Sequence, residues 1–220
     1  MPWNSTQHVR ANGLVPAALL AFGLACSLPP TVQPAEPGPR LVVAIRDYAG
    51  VPQETLDAAE AQLSKIFGKA GVPVEWWELP PLGSAAVDPV AVKPALYVML
   101  LSDSMAARLG CSLSAFGFAL ADRVYIFADR TRQAAAQTES NFTTVLGLAM
   151  AHEVGHVLLG PNGHAPGNVM TPRFGKTAFQ QGERGALLFL PDQAERMREQ
   201  VRNRLSASER AQAASLLANR

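Results

Sequence analysis

The segment from Ala151 to His164 constrains this chain more than any other part of it. The protein has four histidines, and three of them lie within this segment. On a helix each residue advances about 100° around the axis, so His152 and His156 lie on one face, a single turn apart. Glu153 lies on the neighbouring side of that face. Two neutral imidazoles at this spacing suit Zn²⁺, and a carboxylate beside them suits a general base.

The surrounding residues predict that this segment ends a long, buried helix. Asn141 or Ser140 is a suitable N-terminal cap, and Gly160 followed by Pro161 is a suitable stop. Gly155 costs the helix about 1 kcal/mol relative to alanine. We expect a glycine at this position because another backbone passes close by. The apolar side of the helix is formed by Val145, Leu148, Ala149 and Met150.

Composition excludes some classes of protein. Hydrophobic residues make up 48% of the chain and charged residues 17%, which supplies a sizeable core and argues against global disorder. The formal net charge is +1, with both signs interspersed, so we expect no nucleic-acid partner, which would need a basic face or stripe. The length indicates one domain with extensions, or at most two small domains.

Residues 1–28 predict an export signal. Arg10 supplies a positive charge before the apolar run, as in a signal peptide. The run itself is uncharged, mainly apolar and too short to span a bilayer comfortably. Small residues precede Cys26, as in a bacterial lipoprotein signal, so acylation of Cys26 and ordinary cleavage after Ala25 are both open. Residues 29–40 are proline-rich and predict a semi-rigid linker. We therefore expect an exported protein that is periplasmic, on the outer surface or extracellular. If Cys26 is acylated, the protein is attached to a membrane by its lipid.

The second cysteine, Cys111, has no partner if Cys26 is removed or acylated. We therefore expect no structural disulfide. A lone cysteine of this kind most often behaves as a small buried hydrophobic residue.

The remaining pattern predicts an α/β fold. An amphipathic helix at 53–70 lies between two short strands, and such a β-α-β unit makes a parallel pair. The segment 114–120, which contains Gly117, is expected to be an edge strand. A last helix starts at Pro191, and residues 204–220 form a helical tail after a main domain at 41–203. The predicted strands are 41–45, 72–78, 95–101, 114–120 and 123–127, with a short helical turn at 102–110.

This order of elements, with the H-E-x-x-H helix, a later histidine and Val169-Met170 in a tight turn, resembles the metzincin zinc peptidases. The resemblance covers roughly residues 41–201, and it is to a bacterial branch with a lengthened spacing before the third histidine. It implies a zincin-like α/β catalytic domain with a mostly parallel twisted sheet, an antiparallel edge strand, an active-site helix, a methionine turn and a C-terminal helix. The implied roles are zinc ligands for His152, His156 and His164, the general base for Glu153 and the turn methionine for Met170.

The spacing of the third histidine departs from that family. Metzincins have five residues between the second and third histidines, whereas seven separate His156 from His164 here. A longer helix and a turn at 161–163 can absorb the difference, because Asn-Gly readily adopts positive φ. Two alternatives stay open: a gluzincin-like site in which Glu183 or Glu195 is the third ligand, and a solvated loop role for His164.

The resemblance implies a metalloendopeptidase that hydrolyses peptide bonds of a peptide or protein substrate with a metal-bound water activated by Glu153. An extended substrate would add to the sheet edge near residues 114–127. One alternative is a non-catalytic, exported binding domain that zinc stabilises. Another is a maturation factor that cleaves a single partner. Structural zinc sites are usually rich in cysteine, which favours a catalytic site here.

Overall fold

The structure, a computed structural model, describes residues 40–79, 95–110 and 115–218. The predicted export signal, the linker up to residue 39, the loop at 80–94 and both cysteines lie outside the described residues. Those expectations therefore stay predictions.

Five strands form one mixed sheet in the order β2-β1-β3-β5-β4. The pairs β1–β2, β1–β3 and β3–β5 are parallel, while β4 pairs antiparallel with β5 at the edge. This confirms the predicted fold class, including the edge position of the strand that contains Gly117. The strands are β1 (Leu41–Asp47), β2 (Val74–Glu78), β3 (Leu96–Leu101), β4 (Gly117–Leu120) and β5 (Arg123–Phe127).

Four of the six described helices agree with the sequence prediction, and two were not predicted. The predicted ones are α1 (Gln53–Lys69), α2 (Asp103–Arg108), α4 (Phe142–Leu159) and α6 (Pro191–Ala218). The others are α3 (Ala128–Thr138) and α5 (Lys176–Glu183). Helix α3 follows β5 directly, and no side chain caps its start, so the usual start signal is missing. Helix α6 continues without a break through residue 204, so the residues predicted as a helical tail extend this helix as far as Ala218.

Helix α4 is the centre of the described domain. It packs against α1, α3, α5 and α6 and against strands β4 and β5. It is long and apolar enough to cross a membrane, but 78% of that stretch is buried within the protein, as in a core helix. At its start, the Asn141 side chain accepts a hydrogen bond from the Thr144 backbone N–H at 3.4 Å, which confirms the predicted cap.

A close backbone approach occurs at Gly147, two turns before Gly155. A Cβ at Gly147 would lie 2.9 Å from the carbonyl oxygen of Ala59 and 2.8 Å from the side chain of Gln62, both on α1. The glycine therefore lets α1 and α4 pack at short range.

Candidate metal centre

Three imidazoles converge at the C-terminal end of α4. The Nε2 atoms of His152 and His156 are 3.1 Å apart, and that of His164 lies 3.0 Å from the His156 atom and 3.3 Å from the His152 atom. His152 is buried, His156 half-buried and His164 exposed. The helix supplies two rings, and the turn after Gly160 returns the third ring to them.

Backbone carbonyls fix how the two helical rings face. The Nδ1 atom of His152 is 2.9 Å from the Val169 oxygen, and Nδ1 of His156 is 3.1 Å from the Gly160 oxygen. A carbonyl oxygen can only accept a hydrogen bond, so each Nδ1 carries the proton and donates it. In a neutral imidazole the other nitrogen, Nε2, then holds a lone pair. Two lone pairs therefore face one another across 3.1 Å.

This arrangement fits a metal ion. Two lone pairs cannot form a hydrogen bond, and a cation between them replaces their repulsion by attraction. Zinc binds imidazole nitrogen at about 2.0–2.1 Å, and tetrahedral angles then put the nitrogens about 3.3 Å apart. The observed separations of 3.0 to 3.3 Å match that spacing. The described side chains therefore offer three nitrogen donors to Zn²⁺ and leave one side of the site open.

Burial keeps the helical histidines in the form that binds metal. Burial lowers the pKa of His152 to about 4, with a smaller lowering from the neighbouring histidines and an opposing effect of the bond to Val169. Burial also lowers the pKa of His156. Both rings are therefore neutral at pH 7, as metal ligation requires.

Glu153 lies beside the histidines and beneath the edge strand. Its side chain is buried, and a Cβ on Gly117 would lie 3.1 Å from its Cγ atom. The same Cβ would collide with the carbonyl oxygen of Tyr125, so only glycine lets β4 pass here. Burial raises the pKa of Glu153 to about 7. The carboxyl group can therefore take up and release a proton near neutral pH.

Met170 is buried under α4, at the level of the histidines. A Cβ on Gly155 would lie 2.5 Å from its Sδ atom and 3.1 Å from Cε1 of Phe189. The expected reason for Gly155, a passing backbone, is therefore wrong: side chains occupy the space, and the nearest atom is the sulfur of Met170. The glycine in the H-E-x-x-H segment and the methionine in the turn are thus complementary in shape.

The turn that carries Met170 also orients a histidine. The Asn168 side-chain oxygen accepts a hydrogen bond from the Met170 backbone N–H at 2.6 Å, and the Asn168 carbonyl accepts one from the Thr171 N–H at 3.0 Å. Between them, the Val169 carbonyl faces Nδ1 of His152. The packing of Met170 and the orientation of His152 therefore depend on the same four-residue turn.

The two carboxylates considered as alternative third ligands do not reach the site. Glu183 accepts a hydrogen bond from the Asn141 backbone N–H at 2.8 Å, at the opposite end of α4. Glu195 is exposed on α6. The gluzincin-like alternative is therefore wrong: among the described residues, the side chain that joins the helical pair is His164. His164 is exposed, as the loop alternative expected, but its Nε2 points at the other two rings.

A cavity of about 690 Å³ opens beside His152 and Glu153. One wall comes from residues 115–117, at the start of the edge strand, and the other from residues 171–174, after the methionine turn. The ring of Phe174 packs edge-on against His152, with centroids 5.4 Å apart, and stacks against Phe116 at 6.4 Å. Sequence reasoning missed these walls because the two segments lie more than fifty residues apart and share no local pattern.

The fold and the site define a class: an α/β domain whose core helix supplies a buried carboxyl group and two of three histidines that together could bind a metal ion. No protein-family model matches the sequence. A search among curated proteins gives no match either.

Among solved structures, the chain is similar to archaemetzincin from Methanopyrus kandleri, known from a crystal structure at 1.5 Å. The match covers 77% of this chain and 98% of that one, with 13% identity and a TM-score of 0.47. A similarity of this size carries no function from one protein to the other.

Proposed function

We propose that this protein is a zinc-dependent peptidase. The observation that supports the proposal best is the pair of helical imidazoles whose Nε2 lone pairs face each other at 3.1 Å, with His164 completing the group. The buried carboxyl group of Glu153 directly follows the first histidine in the chain. Three nitrogen donors with one open side are typical of catalytic rather than structural zinc sites.

A zinc ion held by His152, His156 and His164 would be a Lewis acid that polarises a carbonyl and makes water more acidic. The remaining chemistry belongs to Glu153. A carboxylate oxygen of Glu153 accepts a proton from the attacking water and then donates it to the departing amine nitrogen. Burial under Gly117 suits both steps because it brings the pKa of this carboxyl group near neutrality. The carbonyls of Val169 and Gly160 hold the two helical rings in the ligating orientation throughout.

We propose that the substrate is an extended peptide bound along the outer edge of β4. Among the described strands, β4 pairs only with β5, so its other edge has backbone groups available for a further strand. Gly117 on this strand lies against Glu153. A peptide on the edge would therefore pass the general base.

The decisive experiment combines a zinc assay with cleavage of a denatured protein mixture by the full-length protein. Glu153→Gln should keep stoichiometric zinc and lose about 10²- to 10⁴-fold in cleavage rate, because only the proton transfer is removed. Glu195→Gln, the same change on an exposed side chain, is the matched control and should retain both. Full activity of Glu153→Gln would refute the base assignment, and purified protein without bound zinc would refute the proposal.

The non-catalytic alternative, a binding domain that zinc stabilises, gives a different result in the same assays. Removing zinc would unfold the domain, no peptide would be cleaved, and Glu153→Gln would change nothing. We favour the enzyme because Glu153, whose pKa burial raises to about 7, lines a cavity beside the three histidines, where a general base is needed.

We also propose that the domain acts outside the cytoplasm and is tethered through acylated Cys26. The support is the pattern of residues 1–28. In a bacterial host, Cys26→Ala should move the protein from the membrane fraction to the soluble fraction. Membrane association that is unchanged by this substitution would refute the lipid anchor.

A further inference from the structure

The cavity beside the histidines is lined by aromatic rings and by one cationic side chain. Phe116 and Phe174 line it from opposite segments, while Ala149 lies on the helix between them. Arg173 is exposed and belongs to the same lining. Among the described lining residues it is the one that carries a permanent positive charge.

Arg173 sits on a backbone that its neighbours hold in place. The ring of Phe174 stacks on Phe179 with centroids 5.8 Å apart and planes 11° apart. The hydroxyl of Thr171 donates to the Arg173 carbonyl at 3.3 Å, and Pro172 between them has a restricted φ. The backbone position that carries Arg173 in the cavity lining is therefore fixed.

The guanidinium group of Arg173 differs from two other cations around the site. Arg130 pairs with Asp103 at 3.3 Å and donates to the Ala115 carbonyl, and Lys176 pairs with Glu139 at 2.8 Å. No ion pair joins Arg173 to a carboxylate within the described part of the chain. Its charge is therefore available to a molecule that enters the cavity.

We propose that this cavity selects an acidic substrate side chain, aspartate or glutamate, next to the cleaved bond, and that Arg173 determines this specificity. The inference rests on the proposed peptidase function. The rings of Phe116 and Phe174 accommodate the methylene stem of such a side chain, and the planar guanidinium pairs with its carboxylate through two parallel hydrogen bonds. A substrate with lysine at this position would bring a second positive charge next to Arg173 and is therefore disfavoured.

The test uses full-length, zinc-loaded protein and four peptides that differ at one position beside the cleaved bond: Glu, Gln, Leu or Lys. Glu and Gln have nearly the same shape, so their comparison isolates the charge. The Glu peptide should exceed the Gln peptide by about five- to tenfold in kcat/KM, mainly through KM, as expected for a charge-assisted contact with an exposed side chain. High salt should reduce this ratio.

Arg173→Ala should bring the Glu to Gln ratio close to one, and Arg173→Glu should make the Lys peptide better than the Glu peptide. Arg184→Ala is the matched control, because Arg184 is exposed but lies outside the cavity lining. It should keep the preference of the wild type. The proposal would be overturned, with the peptidase function intact, if the wild type prefers the Leu peptide and Arg173→Ala leaves that preference unchanged.

A binding measurement separates failure of this inference from failure of the proposed function. Zinc-loaded Glu153→Gln protein is titrated with the Glu and Gln peptides, and the dissociation constants are compared with and without the additional change Arg173→Ala. Tighter binding of the Glu peptide that depends on Arg173 supports the acidic specificity even if no peptide is cleaved. Equal binding of both peptides overturns it even if cleavage is found.

Discussion

His152 and His164 belong to the same cluster but are held in different ways. His152 is buried, its Nδ1 faces the Val169 carbonyl, and the turn that supplies this carbonyl also places Met170 under the helix. His164 is exposed, and the short contacts described for its ring are with the Nε2 atoms of the other two histidines. The buried side of the site is thus preorganised by the fold, whereas no described backbone carbonyl orients the exposed ring.

The largest difference is expected between the two histidine deletions. His152→Ala should abolish stoichiometric zinc binding and lower the stability of the metal-free protein by about 1–3 kcal/mol, because the buried Val169 carbonyl loses its donor. His164→Ala should also weaken zinc binding but change metal-free stability by no more than about 0.5 kcal/mol. Zinc titration and denaturant unfolding with a chelator measure both effects. Equal losses of metal-free stability would mean that the fold holds the two histidines equally firmly.

The second prediction separates Glu153 from His152 by their pH dependence. The pKa of Glu153 is raised from its ordinary value near 4.5 to about 7, so its contribution to metal-free stability is full below pH 4.5 and is lost as pH rises through 7. The pKa of His152 is lowered from about 6.5 to about 4, so its contribution is full above pH 6.5 and is lost as pH falls through 4.

Glu153→Gln removes the pH-dependent contribution of Glu153 to stability and leaves that of His152. Its unfolding free energy relative to wild type should therefore rise by about 2–3 kcal/mol between pH 4 and pH 8 in the metal-free protein. Urea unfolding at a series of pH values in chelator gives the measurement, with Glu195→Gln as the control on an exposed side chain. A constant difference between the variant and wild type across that range would show that Glu153 is not desolvated.

The third prediction concerns the shape match on the buried side. Gly155→Ala should destabilise the protein by about 1–3 kcal/mol, because its methyl group meets the Met170 sulfur at 2.5 Å. The control, Gly68→Ala on α1, has no atom within 4 Å of the new methyl group and should be neutral or stabilising by up to about 1 kcal/mol.

A double-mutant cycle sharpens that result. Adding Met170→Ala to Gly155→Ala should cost less than the sum of the two single changes, since the methyl group then has space. Additive losses in thermal or urea unfolding would mean that the strain lies elsewhere, for example at Phe189.

Local patterns were sufficient for most elements of the fold. The β-branched runs gave the strands, and the edge position of β4 followed from Gly117 and its irregular alternation. The start of α4 at Asn141 followed from capping chemistry. Helix α5 was missed because it has only eight residues and buries little beyond Phe179 and Gly182, too few positions to show a helical period. The alanines of α3, Ala134 to Ala136, were a propensity signal that periodicity alone does not weigh.

The sequence by itself determined the helical face that holds His152 and His156, with Glu153 beside it, because a spacing of four residues returns to the same side of any α-helix. Only the tertiary structure decided which third side chain joins the two histidines and which side chain packs beneath the helix. It brought His164 to the pair and sent Glu183 to the far end of α4. It also placed Met170 in the space left by Gly155 and Arg173 in the lining of the cavity. These relations join segments that are distant in the chain, and they are set by packing, which no local period encodes.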